Sequence, residues 1–463
     1  MEEKFRIESD SIGSLEVPID AYYGVQTLRG YQNFRITGQT MDKTFIKNIV
    51  LIKKACAKTN LYAKNIDEKM ESAIVKACDE ALDGKFDNDF ITDAIQGGAG
   101  TTVNMNVNEV IANRATEILG GKKGEYICHP NDHVNCSQST NDVIPSAGKL
   151  TIIDLFYKLK SSVIELTKSL DKKAIEFKDI IKMGRTQLED AVPIRLGQEF
   201  SAYSSGIKRC LTFLERAVEQ MYYLNMGGTA IGTTINANKV YVNNITENLS
   251  KVTGYDLKQA EDLIDATQNL DGFVLVSGAL KTLAVNLSKM CNDLRLMSSG
   301  PKTGFEEIVL PAMQNGSSIM PGKVNPVIPE VVSQVAFAVI GNDMSIAMAV
   351  EAGQLELNAF EPVIFYKMFE SLKCLDGAVK TLKENCIDGI IANKEHCEEL
   401  LYDSVGIITA LCPYIGYKKS AEIAKRALKE NRRVKDLILE EKIMNKETLD
   451  KVLDPYAMTS VEE

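Results

Sequence analysis

From about residue 143 to residue 390 apolar side chains return every three or four positions through five long stretches, and that rhythm restricts the chain to packed helices. The clearest run is Leu150, Ile153, Leu155, Leu159, Val163, Leu166 and Leu170. Similar runs fill 197–224, 271–296, 331–352 and 362–390, each bounded by Gly, Pro, Ser or Asn. At about 1.5 Å per residue these are helices of roughly 30 to 45 Å. Shorter helical patterns occupy 45–63 and 71–82, after an irregular opening that contains Pro18, Gly24 and Gly30. Trp is absent and aromatics are 7% of the chain, so the core is aliphatic and rich in methionine, which suits helices better than sheets. The fold class expected is all-α, mainly helical.

A chain of 463 residues exceeds one compact core. Two or three domains are expected, divided as a mixed, mainly helical part at 1–141, a central long-helix bundle at 142–395, and a small helical part at 396–463 with Lys/Arg/Glu-rich faces. Leu280, Leu283, Ala284, Leu287, Cys291 and Leu294 form a stripe that must pack. A single five-helix layer would leave Val274, Val276 and Val285 partly wet, and burial against other chains is the remedy. The alternative is a monomeric bundle with a thicker core.

The formal charge of -10, with no dense Lys/Arg run, excludes a nucleic-acid or anionic-membrane surface, since either needs cations to displace counterions. The start is acidic and has no apolar leader core, and no uninterrupted apolar run reaches membrane-spanning length. A soluble, cytoplasmic protein acting on small molecules is expected. The ten cysteines are scattered from Cys56 to Cys412 without a Cys-x-x-Cys pair and read as reduced thiols. Cys128, His129, His133 and Cys136 are chemically able to hold zinc, but their spacing lacks the paired separations of zinc modules, and no metal site is assigned.

Function is concentrated in three segments. Gly316-Ser317-Ser318-Ile319-Met320-Pro321-Gly322-Lys323-Val324-Asn325-Pro326 sets two hydroxyls, an ammonium and a carboxamide on a glycine-hinged loop able to close over an anion. It has neither the spacing of a nucleophile elbow nor a nearby imidazole. Gly97-Gly98-Ala99-Gly100-Thr101 through Glu109 is extended by Asn131-Asp132-His133-Val134-Asn135 and Ser139-Thr140-Asn141-Asp142, and Gly184-Arg185-Thr186-Gln187-Leu188-Glu189-Asp190-Ala191 is the third segment. In content, order and separation these resemble the three signature regions of the fumarase/aspartase superfamily, lyases that release fumarate, and the resemblance runs over essentially the whole chain.

The resemblance implies a three-domain lyase fold, a homotetramer whose central helices form one bundle, and active sites built from three chains. The reaction it implies removes a proton beside a carboxylate, so donors must surround the charge that develops there. Thr101, Ser139, Thr140 and Ser318 fit that task. Ser139-Thr140-Asn141 also reads as an ordinary helix N-cap, and the two roles are compatible. By the resemblance Ser317 is the base, and it must be ionised by its surroundings, with Lys323, loop amides and closure away from water as the agents. Lys323, Asn325 and Thr186 match positions that hold the second carboxylate, and Asn141 with Gln187 falls near the amino group; taken alone, Lys323 reads as a solvated surface lysine. Arg29 is a weaker candidate for substrate approach.

Position 187 bears on the leaving group. Fumarases of the superfamily carry His there, whereas Gln187 cannot titrate. Expelling hydroxide needs a proton donor, while ammonium carries its own proton, so deamination of L-aspartate is favoured over hydration of fumarate. Glu330, the partner of that histidine in fumarases, is expected to sit at a helix start. The alternatives are a fumarate hydratase and a lyase-fold protein without turnover. His129, Asn131 and Asp132 resemble a second dicarboxylate loop and also suit a plain turn. No cofactor is required, and activation by a divalent cation has no locatable site.

Overall fold

The computed structural model describes residues 4–460. Helices dominate, accompanied among the described residues by four two-stranded ladders. The opening is more regular than its sequence suggests: Phe5–Ser9 pairs antiparallel with Ser14–Pro18. The Asp10 carboxylate closes the turn by accepting the Ile12 and Gly13 amides. Proline is tolerated because Pro18 ends its strand.

The long helices form where the apolar rhythm places them, as Thr140–Glu176, Leu196–Val218, Asp271–Met297, Val327–Glu351 and Glu361–Asn385. The first has 37 residues, about 55 Å, and exceeds expectation because it starts at Thr140 and runs on past Leu170 to Glu176, with Pro145 accommodated near its start. The second stops short of 224: the chain tightens into a 3-10 turn at Glu219–Tyr222 and then pairs Tyr223–Leu224 in parallel with Lys258–Gln259.

Every member of the Leu280 to Leu294 stripe is buried. Val276 is buried as well, contrary to the sequence reading, because it lies four and seven residues before Leu280 and Leu283 and so shares their face. Val274 is half-buried and Val285 exposed. In Val327–Glu351 the large side chains of Phe337, Met344 and Met348 are each about two-thirds exposed (64%, 64% and 66%). By length and mean apolarity helices Asp271–Met297 and Val327–Glu351 would pass as membrane spans, although charged residues interrupt both. They carry a side-chain ion pair, Lys281 to Asp343.

The chain divides into two compact units. The first gathers the residues up to Leu159 with Thr212–Thr282 and Phe337–Leu375. Its aromatic core sets Phe365 against Phe45, Phe273 and Phe369, with centroids 5.4 to 5.7 Å apart. A side-chain carbon on Gly148 would fall 2.2 Å from the Phe365 ring, so only glycine admits that contact. The second unit gathers Lys160–Leu211, Leu283–Ala336 and the residues from Asp376 onward. It holds the hairpin Ile181–Thr186 with Glu189–Arg195, and a small helical core including Leu411, Ile423, Leu437 and Leu449.

Candidate active site

In the first unit two helices begin side by side. The chain enters Thr101–Ile118 through Gly98, Ala99 and Gly100, all with positive φ (80°, 54° and 83°). A side-chain carbon on Gly100 would lie 2.9 Å from Ile144, which sits in the second helix, Thr140–Glu176. Asn104 joins the two starts by donating to the Thr140 hydroxyl at 3.1 Å. Both N-termini present positive dipole ends, which favour an anion.

Ser139 caps the second helix: its Oγ accepts the Asn141 amide at 3.2 Å, while Asp142 accepts the Ser139 amide at 2.9 Å. This is a capping box with aspartate in the reciprocal place. The other Asp142 oxygen accepts the Gly227 and Thr229 amides, joining a second loop to the first. Burial raises the Asp142 carboxyl to about 6 against the amides that lower it. Asn141 donates Nδ2 to the Ala230 carbonyl at 2.7 Å, which leaves its Oδ1 as an acceptor suited to an ammonium group.

Beneath this loop lies a buried cation that the sequence did not advertise. Lys53 is fully buried and donates to Asn135 Oδ1 and Gln138 Oε1, each at 2.9 Å. Asn104 and Asn108 converge on the same Asn135 oxygen at 3.3 and 3.2 Å. Burial lowers the Lys53 ammonium to about 8, with Cys56 and Asp142 opposing. In the sequence Lys53 stands in Ile52-Lys53-Lys54, where only its place on the buried face of helix Lys43–Tyr62 separates it from an ordinary surface lysine.

Thr101 lines a cleft of about 430 Å³ together with Arg29, His129 and Asn131. Its hydroxyl donates to the Gly98 carbonyl at 2.8 Å. Arg29 is held by Asp10 through two bonds of 2.9 Å, so its guanidinium is already paired. Pro130–Val134 is a turn of π-helix. His129 Nδ1 accepts the Asp132 amide and His133 Nδ1 accepts the His129 amide, which places any ring proton of the neutral imidazoles on Nε2. Asp132 is exposed. Cys128 is buried, its thiol pushed up to about 12 by desolvation, and among the described residues no group of three His, Cys, Asp or Glu is arranged to hold a metal.

In the second unit Thr186 and Gln187 stand exposed at the end of a hairpin. Thr186 pairs with Glu189, leaving Gln187 and Leu188 as a two-residue turn with φ of 55° and 67°. Such turns favour Asn and Gly, so this one is strained where the candidate side chain of Gln187 is displayed.

The loop of Ser317 curls about a hollow of about 330 Å³ lined by Ser317 and Lys323. Ser317 Oγ accepts the Ile319 and Met320 amides at 3.2 and 3.1 Å. Bonds of this kind favour an ionised oxygen. A side-chain carbon on Gly316 would fall 1.3 Å from the Lys323 carbonyl oxygen, so the curl depends on glycine. Ser318 and Lys323 are exposed and Asn325 half-buried. Glu330 lies in the first turn of Val327–Glu351, where a carboxylate complements the dipole.

Comparison with known proteins identifies the family. Residues 13–341 match the family described as Lyase, and 407–460 match Fumarase C C-terminus. An aspartate ammonia-lyase of Helicobacter pylori is 53% identical over 458 residues, 98% of each chain. A fumarate lyase/delta crystallin structure from Brucella melitensis superposes with a TM-score of 0.96 at 46% identity, covering 99% of this chain and 100% of that one. A class II fumarase from Schistosoma mansoni does so at 0.95 and 35%, covering 98% and 99%. Sequence likeness over nearly the whole length and a common backbone thus converge, and the chain belongs to the fumarase/aspartase superfamily of lyases.

Proposed function

We infer that the chain catalyses the reversible deamination of L-aspartate to fumarate and ammonia. The observation that carries the chemistry is the Ser317 oxygen with two amides directed at it, inside a hollow shared with Lys323. As an alkoxide it takes the proton from the carbon beside one carboxylate. Thr101, Ser139, Thr140 and Ser318, contributed by different chains of the assembly as the family resemblance implies, then face the charge that accumulates. Thr186, Lys323 and Asn325 hold the other carboxylate, and orientation of both ends lowers the barrier. Asn141 Oδ1 and Gln187 receive the amino group, which leaves with its own proton and needs no further acid.

The choice of aspartate over malate is supported by Gln187 and by the greater likeness to the Helicobacter enzyme than to the class II fumarase. Fumarate with ammonia should lose its conjugated absorbance in the presence of the protein, and fumarate in water should not. Malate formed without ammonia would favour hydration instead. Gln187→His should not produce an efficient hydratase.

The proposed assembly is a homotetramer acting in the cytoplasm. The exposed Phe337, Met344 and Met348, which recur along one face of Val327–Glu351, support it, since an exposed apolar stripe of this kind marks an interaction surface. Sedimentation would give the count of chains. His129 and Asn131, beside Thr101, are proposed to admit a second dicarboxylate, with Asp132 shaping their turn. No organic cofactor enters the scheme; dialysis against a chelator followed by assay with and without magnesium would test cation activation.

A further inference from the structure

Glu307 is fully buried and lies ten residues before Ser317. Its Oε1 accepts Arg185 Nη1 at 2.6 Å, and Lys182 Nζ lies 3.0 Å from its Oε2. Lys182 also donates to Glu199 at 3.0 Å. Two cations and two carboxylates thus form a balanced cluster, with Lys182 and Glu307 buried and Arg185 and Glu199 partly so. Arg185 is further fixed by lying over the Phe305 ring at 4.2 Å. The ladder slips between Met183 and Arg185, and a side-chain carbon on Gly184 would fall 2.6 Å from the Val192 carbonyl, so glycine is needed at the irregularity just before Arg185.

The backbone of Glu307 is held as firmly as its side chain. Its amide donates to the Met297 carbonyl and its carbonyl accepts the Asn393 amide, both at 2.9 Å, with the Cys397 thiol at 3.5 Å. The next two residues, Ile308–Val309, pair with Ile391–Ala392 before the chain enters the Ser317 loop. One carboxylate therefore anchors both the strand that ends at Thr186, just before Gln187, and the root of the Ser317 loop.

Four charges gathered about the buried Lys182 and Glu307 are not the cheapest way to stabilise a core, because apolar replacements of similar volume are often as stable or more so. What they provide is a single register, since any slip strands a charge away from its partner. We propose that Glu307 is a positioning residue for the lyase reaction, setting the Thr186–Gln187 turn and the base of the Ser317 loop in one fixed register through Arg185. The proposal rests on the reaction inferred above for its kinetic readout, but not for its binding readout.

The test is Glu307→Gln, which keeps the shape and removes the charge, beside Arg185→Lys, which keeps the charge and loses the fork, and their double variant. Arg185 is partly exposed, so Arg185→Lys serves should Glu307→Gln fail to fold. Measured per folded molecule, each single change should lower kcat/KM for L-aspartate by about tenfold to a hundredfold, the scale of ångström misplacement. The double variant should lose no more than the worse single one. Binding of succinate, an unreactive dicarboxylate, should weaken at least about fivefold by calorimetry, about 1 kcal/mol. Variants that melt earlier but keep kcat, KM and succinate affinity within about twofold of the wild type would overturn it. A wild-type protein inert toward aspartate defeats the inferred reaction instead, and the succinate measurement still decides the role of Glu307.

Discussion

The Asn225 carboxamide donates to the Asn141 carbonyl at 3.0 Å, supplying the hydrogen bond that Pro145, four residues later in the helix, has no amide to give. The exchange keeps the helix continuous and fixes Asn141, a residue proposed to face the substrate, at once. The same carboxamide donates to Thr267 at 3.0 Å. Asn225→Ala leaves these acceptors without their donor in a buried place, which should cost about 1–3 kcal/mol in denaturant unfolding. Because Asn141 is released, kcat should fall as well. Asn225→Asp, which has the size but not the donors, should behave alike.

The buried pair below the loop predicts two opposite pH slopes. The Asp142 carboxyl stands at about 6 against an ordinary 3.8, so between those values the folded protein holds a proton that the unfolded chain has released. Stability therefore falls as pH rises through that window and the loss is complete above it, on the order of 3 kcal/mol. Lys53, lowered from 10.5 to about 8, gives the reverse: between these values the unfolded chain binds the extra proton, and stability rises with pH. Urea midpoints measured across pH should show the first slope vanish in Asp142→Asn and the second in Lys53→Met. Both variants should also be less stable at neutral pH, because the amides on Asp142 and the acceptors on Lys53 lose partners.

What the sequence discloses is set by periodicity. The stripe from Leu280 to Leu294 is legible because one face of one helix repeats it, and every residue of it is buried. The signature segments are legible as chemistry because short polar side chains cluster there with glycine. Lys53 and Asn225 are not, since what matters about each is a partner about 80 residues away, at Asn135 and Asn141. The hairpins also escape: the opening strand pair is held by a five-residue register, and the 187–188 turn lacks the Asn and Gly that announce such turns.

That missing glycine gives a third prediction. Leu188 adopts φ 67° with its side chain exposed, and a left-handed backbone costs an ordinary residue about 1–2 kcal/mol. Leu188→Gly should raise unfolding stability by about 1 kcal/mol after the entropy of glycine is allowed for. Gln187 beside it would gain freedom, so KM for aspartate should rise while thermal stability improves. Stability that drops instead would show that the Leu188 side chain is needed for packing.

The loop of Ser317 provides the most direct test of the chemistry. Ser317→Ala removes the proposed base and its two amide bonds while leaving Lys323, Asn325 and the close approach of Gly316 to Lys323 in place, so kcat should fall by about 10²–10⁴. Succinate should still bind within a few-fold of wild type, because no carboxylate partner has been lost. Gly316→Ala must act differently: its added carbon would meet the Lys323 carbonyl, the curl would open, and both kcat and succinate affinity should decline. Ser317→Ala retaining more than about a tenth of the wild-type kcat would transfer the proton to some other base. Equal effects of the two variants on succinate would mean that the loop binds as a unit and that the Ser317 oxygen has no separate role.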